Sequence, residues 1–381
     1  NALTGPISTT FKLDLPDVND GKVDEALKLL SGMITAPTLS DANLRSDVPI
    51  VLAEKRERGG TAERVVDQTQ QTLFAGQKLG SRPVIGTEAA LTGATQESVR
   101  AFHQRWYRPE NCVIVAVGDI DPAKLEASIR TWFGDWKGVG PRTPEPPFGD
   151  PLLPKGGKGA APVGETRVIV EPSLPRQITY AIMRPWRPVH DTVVYNQGIM
   201  IDSLAQAIIN RRLEARARAG GRFLVAQVDK EKVSRSADAT YVSITPLGPD
   251  WKAALGDTRA VIADAMTRPP TQAEIDREVK EFAVAFDSSV EQRRLQPGAR
   301  LADDMVTALD IRETIASPET VQDIFRRSIP LFTPANVLAH TRQIFQGTVT
   351  RAVYVTPQAG EATAAGIKTA LAQFPVKVPI V

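Results

Sequence analysis

Three histidines, one cysteine and a dense set of carboxylates are the side chains here that could carry chemistry. A metal held on one face of a helix needs donors three or four residues apart, because only those side chains are neighbours on the surface. His103, His190 and His340 are far apart in sequence, and none is followed by a glutamate–histidine pair, so each reads as a surface or packing histidine. Cys112 is the only cysteine, which rules out an intrachain disulfide, and it reads as a small core residue opening an apolar strand. Glu54 lies in the charged run Glu54-Lys55-Arg56-Glu57-Arg58, which by composition alone is a solvated helix face. Gly156-Gly157-Lys158-Gly159 has no following Ser or Thr and is not a phosphate loop. No Gly-x-Ser-x-Gly nucleophile motif occurs. Residues 211 to 222 are rich in arginine, and Arg216 among them reads as a solvated helix charge.

The elements that must position these residues alternate along the chain. Phe11, Leu13 and Leu15 share one face of a strand over 7–15, the period being two. Val23, Ala26, Leu27 and Leu30 have helical spacing within 22–34. Two further helices are expected at 48–58 and 61–74, separated by Gly59-Gly60, with Thr61 capping the second. The run 112–117 (CVIVAV) predicts a buried strand, and Asp121-Pro122 starts a helix that ends at Phe133 before Gly134. Strands are expected at 166–171, 177–183, 239–245 and 350–355, and helices at 193–218, 271–286 and 317–328.

Composition bounds the rest. The 381 residues are 42% hydrophobic and 24% charged, enough for two sizeable cores. With 46 basic and 44 acidic side chains the net charge is only +2, which argues against a nucleic-acid binder. No apolar run approaches the ~18 residues of a membrane span. Nearly half of 139–165 is Pro or Gly, a composition that prevents helix and central strand alike and reads as a linker between a domain over 1–138 and another over 166–381. An internal repeat joins the two: Thr95 and Ser317 each begin a helix that leads to Pro109-Glu110-Asn111 or Pro334-Ala335-Asn336, an apolar strand and a terminal helix, the second ending at Phe374. The chain opens on Asn-Ala-Leu-Thr, directly in an alternating strand and without an initiator Met, and so reads as cut from something longer.

The ordered segments Pro-Val-Ile-Gly-Thr at 83–87, Trp-Tyr-Arg-Pro-Glu-Asn at 106–111, Val-Gly-Asp-Ile-Asp at 117–121 and Phe-Gly-Asp-Trp at 133–136 resemble the pitrilysin/insulinase family of inverted zincins. The likeness covers most of 1–137, and the second part resembles the family more loosely, through element order and the stretch from Arg211 to Val228. It implies an α+β fold of two homologous α/β-sandwich domains, the first truncated at its N-terminus. Two such halves would close like a clamshell on an unfolded peptide.

The family's zinc site is H-x-x-E-H on one helix plus a glutamate on a later one. The histidine helix is absent from this sequence. Ile50-Val51-Leu52-Ala53-Glu54 resembles the segment ending in the third ligand, so the resemblance makes Glu54 that ligand. Asp47 stands where the family often has a supporting glutamate. Asn1-Ala2-Leu3-Thr4 resembles the family strand whose edge pairs with the substrate backbone, making Asn1 and Ala2 substrate-binding residues. Arg216 and Phe223 have the spacing of an Arg and Tyr that reach the scissile peptide, but Phe223 has no hydroxyl for an oxyanion.

Three readings follow: a zinc metalloendopeptidase half, a non-catalytic partner half, and an unrelated α+β interaction protein. In the first, zinc belongs to the intact parent and this chain alone binds none. The expected partners are peptide and a second homologous half, with no nucleic acid. The expected compartment is bacterial periplasm or cytoplasm, leaning to periplasm.

Overall fold

The computed structural model describes residues 1–144 and 161–373. In chain order the elements are β1 (Ala2–Thr4), β2 (Thr9–Phe11), α1 (Asp20–Thr35), α2 (Asp41–Glu57), α3 (Thr61–Leu73), α4 (Lys78–Ser81), α5 (Glu88–Thr92), α6 (Gln96–Trp106) and α7 (Pro122–Phe133). They continue with β3 (Val163–Val170), β4 (Gln177–Pro185), α8 (Val193–Arg218), β5 (Phe223–Val233), β6 (Ala237–Pro246), α9 (Trp251–Thr267) and α10 (Gln272–Gln292). The last are α11 (Gly298–Asp310), α12 (Pro318–Ser328), α13 (Pro334–Ile344), β7 (Val349–Thr356) and α14 (Ala364–Ala372). Most of the expected linker, and Phe374, lie outside the described residues.

Two compact units result, and their membership differs from a division at the linker. The first takes Asn1–Gly59, 82–144 and Gln296–Asp310; the second takes Gly60–Ser81, 161–295 and 311–373. The reason for the first exchange is packing. The second unit is built on a five-stranded sheet of order β3-β7-β4-β6-β5, antiparallel except for the β3–β7 pair. Successive side chains on a strand point to opposite faces. Ile178, Tyr180, Ile182, Val242, Ile244, Ala352 and Tyr354 therefore face the helical layer that includes α8, α9, α12 and α13. Ala181, Met183, Ala237, Ala239, Val349, Val353 and Val355 face the other way, and Leu73, Phe74 and Leu79 of the α3–α4 segment cover them. Every residue of β7 is buried, as a central strand covered on both faces requires.

Beside this sheet, Glu361 accepts hydrogen bonds from the Tyr354 hydroxyl at 3.0 Å and the Thr356 hydroxyl at 2.6 Å, and it pairs with Arg176. The Arg176 bonds above all, then those of Thr356 and Tyr354, pull its carboxyl down to about 2 against the opposing effect of burial.

The first unit is mostly helical. Asn19 caps α1, and Val23, Leu27 and Ser31 are its buried residues, with α7 packed against it. Asp24 accepts from the Trp132 indole at 2.8 Å and from the Ser128 hydroxyl, and Ser31 donates to the Trp132 carbonyl at 2.6 Å. Arg108 is buried and donates to the carbonyls of Val139 at 2.7 Å and Gly140 at 3.1 Å. Its guanidinium fills the space where a Cβ at Gly138 would be.

Several expectations are corrected. The strand over 7–15 is three residues long, β2. Gly60 holds the N-cap position of α3 and Thr61 is its first residue. The second helix begins at Asp41 under a Ser40 cap, with Pro49 inside it. The run 112–117 forms no strand, and Val113 and Ile114 are exposed, because nothing among the described residues pairs with it. The repeat shows in part: Asn111 donates to the Trp106 carbonyl at 3.1 Å and Asn336 to the Leu331 carbonyl at 2.9 Å, each five residues back, but Pro109–Asn111 is a single turn where Pro334 opens α13, and the first copy has no strand.

Two stability tests follow. Leu73→Ala opens a cavity against the sheet and lowers the melting temperature by roughly 5–10 °C in calorimetry, whereas exposed Val66→Ala on the same helix moves it by less than about 2 °C. Because the Glu361 carboxyl is held below its usual 4.5, it stabilises the fold fully above that pH, and the contribution fades as pH falls toward about 2. Glu361→Gln should lower stability at neutral pH by on the order of 2 kcal/mol and flatten the loss of stability between those two pH values.

Candidate functional site

The sheet edge in the first unit is set by a short hairpin. β1 pairs antiparallel with β2, with Ala2 opposite Phe11, Leu3 opposite Thr10 and Thr4 opposite Thr9. The Asn1 carbonyl accepts from the Lys12 amide at 2.8 Å and the Asn1 amine donates to the Lys12 carbonyl at 3.0 Å. The Gly5 amide donates to the Ser8 carbonyl at 2.8 Å. Hydrogen-bonded and non-bonded pairs alternate in such a ladder. Asn1, Leu3 and Gly5 thus turn their backbone groups toward β2, while Ala2 and Thr4 turn theirs away. Ala2 presents a main-chain donor and acceptor at an edge; Asn1 spends its own inward. Thr4 was not singled out in the sequence, although the period of two along a strand is the signal that finds it.

Glu54 and Asp47 lie on α2, which has no buried residue. They are seven apart, two turns, and so on one face, with Ile50 exposed between them. The Glu54 carboxylate is 43% exposed and pairs with Arg58 at 2.6 Å. Lys55, beside it, donates to the Gly86 carbonyl at 2.7 Å. No group of three or more His, Cys, Asp or Glu that could hold a metal occurs among the described residues. A tetrahedral zinc takes at least three protein ligands, and this donor set offers one, already neutralised by a guanidinium. These residues do not by themselves fit the metal.

The two candidates in the second unit are committed elsewhere. Arg216 donates from Nε to Asp257 at 2.7 Å, and the buried Asp257 also accepts from the Arg222 amide at 2.9 Å. That pair ties the end of α8 to α9. Arg211 pairs with Glu278 at 3.0 Å and Arg212 with Glu274 at 2.8 Å, so the arginine-rich stretch is a lattice of ion pairs with α10. Bonds from Arg212 above all hold Glu274 at about 2. Phe223 is 1% exposed, its ring part of the core that packs on α8 and α9. As a substrate-contacting side chain it is therefore corrected: a fully buried ring cannot touch a bound peptide without unpacking. His340 and His103 are also structural, bonded to Asp202 and to the Ile34 carbonyl, each at 2.7 Å.

The first unit exposes several apolar side chains, among them one on β1 and one on α2. Leu3 and Ile50 are both more than 60% exposed, and Leu29, Phe102 and Val113 more than half. Among its described residues only Val23 and Leu27 are buried hydrophobics. Scattered apolar residues are normal on a surface, but a predicted core strand left in solvent is not.

Known proteins share this plan. Residues 93–191 match the family described as "Peptidase M16 inactive domain". A probable zinc protease PqqL of Haemophilus influenzae is 20% identical over 345 residues, 88% of this chain and 36% of the relative. A zinc protease PQQL-like protein of Arabidopsis thaliana is 28% identical over 136 residues, 35% of this chain and 14% of that one. The chain thus spans at most about a third of the curated relatives it matches. The first half of the periplasmic protease PqqL from Escherichia coli superposes with a TM-score of 0.79 at 16% identity, over 93% of this chain and 75% of that one, which establishes the α+β fold. No helix among the described residues is long and apolar enough to cross a membrane. The ordered motifs, the family match over residues 93–191 and the shared fold agree in their likeness to the pitrilysin/insulinase family, the M16 peptidases, and the two relatives above are named zinc proteases.

Proposed function

We propose that this chain is one half of a zinc metalloendopeptidase of unfolded polypeptides, and that the edge of β1 is where the peptide is held. The observation that carries this is the outward-facing backbone of Ala2 and Thr4. An extended peptide laid along that edge gains main-chain hydrogen bonds that do not depend on its sequence. Strand addition of this kind fixes the scissile bond by backbone register, which suits substrates of varied sequence.

Catalysis needs a metal this chain's residues do not hold alone. In such a parent Glu54 would hold the metal as its third ligand, with Asp47 two turns earlier on the same face. When bound, zinc supplies an activated water and a polarised carbonyl. The exposed Leu3 of β1 and Ile50 of α2 favour an H-x-x-E-H helix elsewhere in the parent that would cover them. The likeness to a periplasmic protease favours the periplasm, and a second homologous half closes the chamber.

A second reading keeps the fold and the peptide edge but no chemistry. It is favoured by Phe223, which lacks a hydroxyl and is buried, and by the shorter carboxylate at Asp47. Codons upstream of Asn1 in the parent gene separate the two. His-x-x-Glu-His there makes the parent a catalytic half; an open frame without it makes the chain a non-catalytic partner.

Two measurements check the chain itself. After dialysis against a chelator and then buffer, metal analysis should find far less than one equivalent of zinc; a full equivalent would mean ligands other than Glu54. Ala2→Pro removes the outward amide and should weaken binding of reduced, carboxymethylated α-lactalbumin by roughly tenfold in fluorescence anisotropy, the worth of one hydrogen bond. Unchanged affinity would remove β1 from the peptide site.

A further inference from the structure

The sheet of the second unit has two edge strands, β3 and β5, and β5 is not open. β5 ends the five-stranded sheet and among the described residues pairs only with β6. An unpaired edge row of N–H and C=O groups invites another strand. At the middle of this edge, the Val228 amide donates to Asn210 Oδ1 at 2.8 Å and Asn210 Nδ2 donates to the Val228 carbonyl at 3.0 Å. Both backbone groups of Val228 therefore face away from β6, and one side-chain carboxamide satisfies both. A carboxamide has the donor and acceptor of a peptide group. Asn210 makes the two bonds that one residue of an added strand would make, and occupies its place.

Asn210 does not stand alone. Asp202, Gln206 and Asn210 are four apart on α8, hence on one face. Asp202 pairs with Lys230 at 2.6 Å and Gln206 donates to the Asp229 carboxylate at 3.3 Å. The polar stripe thus grips β5 at three successive residues. His340 bonds the other oxygen of Asp202 and ties α13 to the same stripe. The rest of the edge is guarded by other means. The β5–β6 register shifts between Phe223 and Val225, and the run Asp229-Lys230-Glu231-Lys232 places charge along the far half. Bulges and charges are the common ways a sheet edge is kept from pairing. β1, with Ala2-Leu3-Thr4, has neither charge nor bulge.

We infer that Asn210 is an edge plug: it closes β5 to strand addition and so keeps a peptide that can pair with β1 off this edge. That β5 is closed stands without the reading of β1 as the peptide edge; the choice of β1 over β5 rests on it. Asn210 is a specificity-determining residue in this sense, with no part in chemistry.

The test is hydrogen exchange, read residue by residue on the 381-residue chain with and without reduced, carboxymethylated α-lactalbumin. In the wild type the Val228 amide exchanges slowly, and the added polypeptide slows exchange at residues 2–4 while leaving 226–232 unchanged. In Asn210→Ala the Val228 amide alone exchanges roughly tenfold faster, the loss of one net hydrogen bond, and the polypeptide now slows it. Asn210→Asp keeps the acceptor for the amide and removes the donor to the carbonyl. It should stay folded by circular dichroism and give a partial opening, which keeps the test decisive if the alanine variant unfolds. The plug is overturned if the polypeptide protects 226–232 in the wild type, or if folded Asn210 variants gain no protection there. Failure of protection at residues 2–4 with β5 behaving as described would instead remove the peptide reading of β1 and leave the plug standing.

Discussion

A β-sheet with apolar side chains on both faces must be covered on both, and most of this architecture follows from that requirement. The five-stranded sheet alternates its apolar residues strictly, so neither face can be left to water. One face takes the helical layer formed by α8, α9, α12 and α13. The other takes α3 and α4, which the chain contributes long before the sheet itself. A break at the linker would leave Ala181, Met183, Val349 and Val353 uncovered. The units are therefore interleaved in sequence, and α3 is amphipathic for a sheet more than eighty residues downstream.

The same requirement explains the polar chemistry of the second unit. With its centre apolar, helix-to-helix orientation is set at the rim by charge. Arg211, Arg212 and Arg216 recur along α8 and meet Glu278, Glu274 and Asp257 on α10 and α9. Glu278 and Asp257 are nearly buried, where an unpaired carboxylate would be costly. The arginines along α8 are thus each held by a carboxylate of α9 or α10.

Much of this was legible from residue patterns, and the exceptions have a common cause. Strands at 177–183 and 350–355 and the helix at 193–218 were readable because their patterns matched their surroundings. α9 was not, because Trp251, Ala254, Asp257, Thr258, Val261 and Ala265 are buried around much of its circumference and leave no clean stripe. β5 was not, because its second half is a charged run guarding an edge, and charge reads as loop. The run 112–117 failed in the opposite direction: its pattern is that of a core strand, but a strand exists only with a neighbour to pair with. Among the candidate residues, Glu54 and Ala2 carry a motif signal, whereas Asn210 carries none, since a lone asparagine within a helix gains its role from the strand beside it.

The repeat extends to two further capped helices. Ser40 caps α2 and Thr271 caps α10, each through its side chain to the third residue on. Counting from these caps, Leu44 matches Ile275, Asp47 matches Glu278 and Glu54 matches Ala285. In the second unit the acid seven residues from its cap is satisfied by Arg211 of α8, the long helix that precedes the β5–β6 hairpin. In the first unit Asp47 faces solvent, with no such helix against it among the described residues. At the next matched position the first unit carries a carboxylate, Glu54, where the second carries the apolar Ala285.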